Sequence, residues 1–111
     1  MSRSFEVEFL PDAVEFMNEL DPKAREKIYY NIRKSQVIKD AELFKKLSGN
    51  IWEFRTLYKQ TYYRLFAFWD KRQGKVSVAM ATHGLIKKTD KTPKADLEKA
   101  ESIRKQYLNQ K

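Results

Sequence analysis

The sequence predicts an α+β fold in which helices pack on a mostly antiparallel sheet, with the elements in the order β-α-α-β-β-β-α. Apolar residues recur every three or four positions in three segments and alternate with polar residues in four others. Most of the three glycines and three prolines fall between these segments. The chain has 111 residues, 41% of them hydrophobic, which is enough for a single domain over residues 1–111 with one modest core.

The N-terminal third is expected to form a strand followed by a helical hairpin. Residues 5–9 alternate Phe and Val with Glu, which predicts a short strand with one buried face. We expect Asp12 to cap a short helix, and Asp21-Pro22 to begin a second helix that runs to about Val37. The predicted apolar faces are Val14, Phe16, Met17 and Leu20 in the first helix and Ala24, Ile28 and Ile32 in the second.

The rest of the chain predicts an antiparallel meander and a final helix. Three runs with a period of two follow Gly49, and they are separated at Lys59-Gln60 and at residues 70–74. His83 is expected to close the third run. Thr92-Pro93 is expected to begin a C-terminal helix, with Thr92 as its cap, and Ala95, Ala100 and Ile103 line one side of that helix.

Composition excludes several classes of protein. The absence of cysteine rules out disulfides, thiolate metal sites and cysteine nucleophiles, and a single histidine argues against a zinc site. Neither a membrane-spanning run nor a signal peptide is evident, so we expect a cytoplasmic protein. No phosphate-binding glycine motif or metalloprotease motif is present, and the sequence therefore predicts neither a cofactor nor a metal.

The positive charge is confined to the second half of the chain. Residues 1–50 hold nine basic and nine acidic residues, whereas residues 51–111 hold fourteen basic and six acidic residues and carry the whole net charge of +8. A regional basic excess indicates a polyanionic partner, nucleic acid above all. A lysine-rich surface that only favours solubility is the alternative.

Two arginines occupy the middle of adjacent predicted strands. Arg55 and Arg64 each lie on a face that is otherwise shared with apolar side chains. An arginine in that position needs a carboxylate or a bound anion, because its guanidinium group loses hydration. One explanation is structural, either an internal salt bridge such as one between Glu53 and Arg64 or an arginine on a solvated face of the sheet. An anion-binding site is the other explanation.

A basic segment follows the third run. Lys87, Lys88 and Lys91 precede the predicted start of the last helix, where backbone N–H groups and ammonium groups can hold a phosphate. An ordinary solvated loop is the alternative. His83, directly before this segment, titrates near neutral pH and is a candidate for proton transfer.

Three segments resemble RelE/HigB-type toxins, particularly their phage-derived branch. Leu47–Arg55 is similar to the segment in which a glycine is followed by an aromatic-Glu-(Leu/Phe)-Arg sequence. Tyr63–Phe66 resembles the Tyr-Arg-aliphatic-aromatic strand of the family. His83–Pro93 resembles its His-Gly-Phe-x-Lys-Lys-Thr-x-Lys-Thr-Pro segment, which precedes the last helix. Their order and spacing agree with that family, although Leu85 stands where much of the branch has an aromatic residue.

The resemblance implies the toxin of a type II toxin–antitoxin pair. Such toxins enter the ribosomal A site and cleave messenger RNA without metal, by attack of a ribose 2′-hydroxyl on the adjacent phosphate. It implies that Arg64, with Arg55 beside it, stabilises the phosphate charge. Lys87 or Lys88 would exchange protons, with His83 as the second candidate. Lys46, Lys91 and Tyr107 are the expected RNA-binding residues, with helix packing as the alternative role of Tyr107.

The same fold serves other functions. ParE-type relatives inhibit DNA gyrase, and a non-catalytic nucleic-acid-binding domain would also explain the basic half. The expected partners of the RNase are the ribosome, messenger RNA and a helix-turn-helix antitoxin. We expect an acidic or apolar segment of that antitoxin to cover the basic face of the toxin. We also expect the toxin to be a monomer when the antitoxin is not bound.

Overall fold

A computed structural model describes residues 4–72, 74, 77–87 and 91–110. Within these residues the chain forms three helices and a five-stranded sheet, which confirms the α+β class. The elements are β1 (Glu6–Phe9), α1 (Pro11–Asn18), α2 (Pro22–Val37), β2 (Phe44–Ser48), β3 (Ile51–Tyr58), β4 (Thr61–Asp70), β5 (Val78–Lys87) and α3 (Lys94–Asn109). No helix in the described ranges has the length and apolar character needed to cross a membrane.

The sheet has the strand order β1-β5-β4-β3-β2. Strands β3, β4 and β5 form the expected antiparallel meander, and β1 pairs in parallel with β5 at one edge. The Lys59-Gln60 turn has positive φ at both residues (51° and 63°), which is typical of tight hairpin turns between twisted strands. The pattern of period two and the turn residues were therefore sufficient to predict the centre of the sheet.

Strand β2 is an addition to the predicted order. It pairs antiparallel with β3 at the other edge, with an irregularity in register between Lys46 and Ser48. Its sequence contains two adjacent lysines and lacks a clean alternation, because an edge strand does not need two consistent faces. The strand therefore depends on its pairing with β3 rather than on a pattern of its own.

The helix starts differ in part from the prediction. Asp21 caps α2 as expected, since its carboxylate accepts hydrogen bonds from the backbone N–H groups of Lys23 (3.1 Å) and Ala24 (3.3 Å). The predicted caps at Asp12 and Thr92 are wrong. Leu10 and Pro93 occupy the N-cap positions of α1 and α3, and neither side chain forms a cap hydrogen bond. Proline at the start of α1 already supplies a helical φ, so Asp12 lies inside the first turn.

An apolar core lies on each face of the sheet. Helices α1 and α2 cover one face, and their predicted stripes are buried or half-buried except at Val14, which is 43% exposed. Helix α3 covers the other face, where its own Ala100 is buried against Ile51, Phe66, Phe68 and Met80. Alternate residues of β4 enter the two cores, so this central strand connects the two layers of helix.

Strand β5 is longer than predicted. His83 does not close it, because pairing with β4 continues through Gly84 and Leu85 to Lys87. The segment interpreted as a loop therefore begins as sheet. Gly84 is also a point of close approach to α1, because a Cβ at this position would overlap the Phe16 ring.

We expect Gly84→Ala to destabilise the protein by about 1–3 kcal/mol, since the added methyl has no space beside Phe16. Urea unfolding would measure the loss. In a Phe16→Ala background the same substitution should cost much less, because the ring that it overlaps is gone. An equal cost in both backgrounds would contradict this explanation.

Candidate functional site

Glu53, Arg55 and Arg64 form one cluster on the α3 side of the sheet, here called the arginine–glutamate cluster. Arg55 in β3 and Arg64 in β4 are directly opposite each other in the antiparallel register. Arg64 Nη1 lies 2.6 Å from Glu53 Oε1, and Arg55 Nε lies 3.3 Å from the same oxygen. One carboxylate is thus shared by two guanidinium groups.

The cluster is largely withdrawn from solvent. Glu53 is 0% exposed and Arg64 is 2% exposed, whereas the side chain of Arg55 is 20% exposed. The internal salt bridge between Glu53 and Arg64, one of the two explanations offered by the sequence, is confirmed. Of the two arginines, Arg55 is therefore the one that a ligand reaches in this conformation.

The N-terminal end of α3 is held against the cluster by two polar contacts. The Thr92 hydroxyl donates to Glu53 Oε2 at 3.1 Å, so the residue expected to cap the helix instead satisfies the buried carboxylate. Asp96, in the first turn of α3, has Oδ1 at 3.1 Å from His83 Nε2. One contact joins the segment directly before α3 to the sheet and the other joins the first turn of α3 to it, and together they fix where the last helix begins.

His83 is buried inside this arrangement. Its ring stacks on Phe66 with the centroids 4.9 Å apart, and Nδ1 lies 3.0 Å from the Thr82 hydroxyl. Burial lowers the pKa of His83, although the hydrogen bond to Asp96 acts in the opposite direction. A ring protonated at Nε2 donates to Asp96, and the single Thr82 hydroxyl proton is then shared between His83 Nδ1 and the Phe66 carbonyl oxygen, 3.3 Å away. His83 consequently positions Asp96 and does not face solvent.

Lysines extend the cluster towards the end of β5. Lys87 lies opposite Tyr62, two residues beyond the pairing of Leu85 with Arg64, which is about 7 Å along the strand. The Lys87 ammonium group donates to the Lys91 carbonyl, and Lys91 is exposed. The structure thus brings Lys87 and Lys91 to the same end of the sheet as the cluster. Lys88 lies outside the described residues.

Tyr62 completes this end of the sheet. Its ring lies under the Arg64 guanidinium, with 5.4 Å between the guanidinium carbon and the ring centroid. The ring adds a cation–π contact to the ion pair with Glu53. Sequence reasoning missed this role, because Tyr62 is one of several aromatics in a buried run and no local pattern distinguishes it.

Two of the expected RNA-binding residues lie elsewhere. Lys46 is opposite Trp52, on the face of the sheet that α1 and α2 cover. Tyr107 lies near Asp70, six residues and about 20 Å along β4 from Arg64. The structure therefore does not join either residue to the arginine–glutamate cluster.

Tyr107 has a structural role in α3. Its hydroxyl donates to Asp70 Oδ2 at 2.9 Å, and its ring packs on Phe68, so the packing alternative is confirmed. The hydrogen bond to Asp70 raises the pKa of Tyr107. Hydrogen bonds from Arg72 hold the pKa of Asp70 at about 2, which keeps this carboxylate charged at neutral pH. Tyr107 thereby holds the C-terminal part of α3 against β4.

The described residues also limit where a metal could bind. Nowhere in these ranges do three His, Cys, Asp or Glu side chains come together in a metal-binding arrangement. The acidic groups of the site, Glu53 and Asp96, are each paired with a cationic or imidazole group.

Comparison with protein families places this chain in a known group. The family described as phage derived protein Gp49-like (DUF891) matches residues 15–105, from α1 through most of α3. The chain belongs to the Gp49-like family. Members of this family are assigned to the toxins of toxin–antitoxin pairs. No curated protein matches the chain.

The match agrees with the phage-derived character inferred from the sequence. It spans Glu53, Arg55, Arg64, His83 and Lys87. The finer assignment of this Gp49-like protein to the RelE/HigB group stays a prediction.

We expect Glu53→Gln to destabilise the Gp49-like protein by about 3–5 kcal/mol, because it leaves Arg64 buried without its counter-charge. Thr92→Val, which removes one neutral donor, should cost about 1 kcal/mol. Urea unfolding of both variants would measure the difference.

Glu101→Gln is the matched control for Glu53→Gln, since Glu101 pairs with a partly exposed Arg104 at 2.8 Å. That change should cost less than about 1 kcal/mol. Similar losses for the two glutamates would show that Glu53 does not support the cluster.

We expect the stability of the protein to fall as the pH is lowered from 7.5 to 5.5. The folded pKa of His83 lies below its ordinary value of 6.5, so the unfolded chain binds more protons in this range. The stabilising contribution is complete above pH 6.5 and is lost as the pH falls through the folded pKa.

Urea midpoints at both pH values would test this expectation. Because His83 is the only histidine in the chain, His83→Gln should flatten the pH dependence in this window. Parallel curves for the two proteins would assign the pH dependence to another group.

Proposed function

We propose that this Gp49-like protein is the toxin of a toxin–antitoxin pair and that it cleaves messenger RNA in the ribosome without metal. Family membership supports the first part of the proposal. The observation that carries the second is the pairing of two guanidinium groups with one carboxylate beside two lysines.

The charge of this arrangement suits a phosphate. Arg55 and Arg64 against Glu53 leave one net positive charge, and Lys87 and Lys91 raise the sum to three. Asp96, beside a neutral His83, lowers the net charge of the site to two. The low-dielectric surroundings of the cluster strengthen its attraction for an anion that approaches Arg55. A pentacoordinate phosphorus carries more negative charge than the phosphodiester, so a fixed cation stabilises it preferentially.

The reaction divides into three tasks. The ribose 2′-oxygen attacks phosphorus and loses its proton, the bond from phosphorus to the 5′-oxygen breaks, and that oxygen gains a proton. The products are a 2′,3′-cyclic phosphate and a 5′-hydroxyl. We assign the contact with the phosphate to Arg55, and the proton transfers to Lys87 or its neighbour Lys88.

Arg64 receives a modified role in this proposal. Since it is 2% exposed and bonded to Glu53, it acts as a positioning residue that fixes the carboxylate to which Arg55 is paired. His83 is likewise buried and acts through Asp96. Direct contact of either residue with RNA would require a change in conformation that exposes its side chain.

A non-catalytic RNA-binding domain is the second candidate. The burial of Arg64 and His83, the two residues that the resemblance placed nearest the chemistry, favours it. In a non-catalytic domain, Arg55, Lys87 and Lys91 would still attract RNA phosphates, and no residue would need to transfer a proton.

The proposed partners are the ribosome, messenger RNA and a helix-turn-helix antitoxin. An antitoxin segment that neutralises the toxin would cover Arg55 and Lys87 with acidic or apolar residues. Such a segment would compete directly with RNA for the cluster.

Primer extension on a defined message in a purified translation system tests this function. We expect new cuts that require both the protein and translating ribosomes. Arg55→Ala should reduce the cleavage rate by about 100-fold, the usual effect of removing one fixed donor to a developing oxyanion. Lys23→Ala, which removes an exposed lysine at the start of α2, is the matched control and should cleave normally.

The other outcomes separate the alternatives. Cuts without ribosomes would indicate a free ribonuclease. Absence of cuts with retained RNA binding would favour the non-catalytic domain. Absence of both would overturn the proposal and direct attention to DNA gyrase.

A further inference from the structure

A depression of about 400 Å³ lies at the end of the sheet opposite to Lys87. It is bordered by Lys46, Gly49, Asn50, Trp52, Trp69, Lys71 and Arg104, and is here called the tryptophan groove. An apolar hollow of about 590 Å³ continues from it and shares Lys46 and both tryptophans. A cationic rim thus adjoins an aromatic surface.

The register of the sheet places the two indole rings together. Trp52 pairs with Ala67, so Trp69, two residues further along β4, lies on the same face and diagonally across. Their centroids are 5.8 Å apart and the rings are almost perpendicular, at 77°. Phe44 packs against both, at 4.9 Å from Trp52 and 5.7 Å from Trp69. The rings are therefore held in place while remaining only half-buried.

The cations come from three separate parts of the chain. Lys46 in β2 lies directly opposite Trp52, and Lys71 follows the end of β4. Both lysines are exposed. Arg104 reaches the groove from α3 and pairs with Glu101 at 2.8 Å. None of the described residues bordering the 400 Å³ depression is acidic, so its rim attracts anions.

We propose that the tryptophan groove binds single-stranded RNA, with a base against the indole rings and the flanking phosphates on Lys46 and Lys71. Every base has a π-face, and stacking on an aromatic side chain stabilises binding whatever the sequence. A duplex does not offer its base faces, because they are stacked within the helix. The combination of half-buried indoles with exposed lysines therefore favours an unpaired strand.

The groove is separate from the arginine–glutamate cluster. Trp52 is three residues from Arg55 in β3, about 10 Å along the strand, and its side chain is on the opposite face of the sheet. Its use as a second contact with the message rests on the proposed function. The binding of RNA at the groove does not, because it requires no cleavage.

Intrinsic fluorescence can test the proposal directly. The chain contains two tryptophans, and both border the groove, so quenching reports on this site. The probe is a hexamer of 2′-O-methyluridine, which lacks the attacking hydroxyl and cannot be cleaved by the proposed reaction. Titration without ribosomes should give saturable quenching.

The decisive variant is Lys46→Glu combined with Lys71→Glu, which alters exposed side chains only. We expect at least a 10-fold weaker affinity. The slope of log affinity against log salt should fall by about 1.4, or about 0.7 for each phosphate that the variant no longer neutralises. Circular dichroism would confirm that the variant is folded.

Lys23→Glu combined with Lys27→Glu is the matched control, because it makes the same change in net charge. Both residues lie near the start of α2, and Lys23 is about 20 Å along the helix from Val37, which borders the apolar hollow. This control should retain the affinity and quenching of the unaltered protein.

Three results would overturn the proposal. The first is saturable RNA binding, measured by fluorescence anisotropy of a labelled hexamer, without quenching of tryptophan. The second is an equal loss of affinity in the two double variants, which would indicate non-specific attraction. The third is quenching by an acidic peptide containing Leu and Phe but not by RNA, which would identify the groove as a protein-binding site. Failure of ribosome-dependent cleavage alone would leave this binding result intact.

Discussion

A guanidinium group on a central strand can be buried only if a negative charge is buried with it, and Glu53 supplies that charge here. The rest of the α3 side follows from this requirement. Arg55 is drawn to the same carboxylate, and Thr92 satisfies its second oxygen. The segment before α3 is thereby held against the sheet, and His83 is enclosed with Asp96. A single buried carboxylate thus connects the position of the last helix with the partly exposed guanidinium group of Arg55.

The two faces of the sheet are stabilised in different ways. Beneath α1 and α2 the contacts are mostly apolar and aromatic, and they depend on close packing such as that of Phe16 over Gly84. Beneath α3 an apolar centre is flanked by polar networks, one around Glu53 and the other around Asp70. Helix α3 is consequently fixed near both ends by hydrogen bonds, and α1 is held largely by burial. Helix α2 combines burial with two buried hydrogen bonds, from Asn31 to Thr56 (3.1 Å) and from Gln36 to the Phe5 carbonyl (2.9 Å).

Sequence alone predicted the features that depend on local pattern. The stripe of Ile28 and Ile32 indicated α2, and alternation indicated the meander and placed Arg55 and Arg64 in the middle of adjacent strands. Strand β2 was not predicted, because its sequence has no alternating pattern of its own. Thr92 was predicted to cap α3 because the local sequence does not show that its hydroxyl bonds to Glu53, which is distant along the chain. The tryptophan groove was missed for the same reason, because Lys46 and Arg104 meet only after the sheet and α3 have formed.

The parallel edge of the sheet affects the order of folding. Strand β1 pairs with β5, so Glu6 and Val78 are paired although most of the chain lies between them in sequence. In contrast, β3 and β4 are joined by a two-residue turn. Contacts between neighbouring strands close short loops and form early, while a pairing with such a large sequence separation must overcome a greater loss of chain entropy. During synthesis the N-terminal strand has no partner until β5 has left the ribosome. The nascent chain therefore cannot complete its sheet until most of its length has been translated.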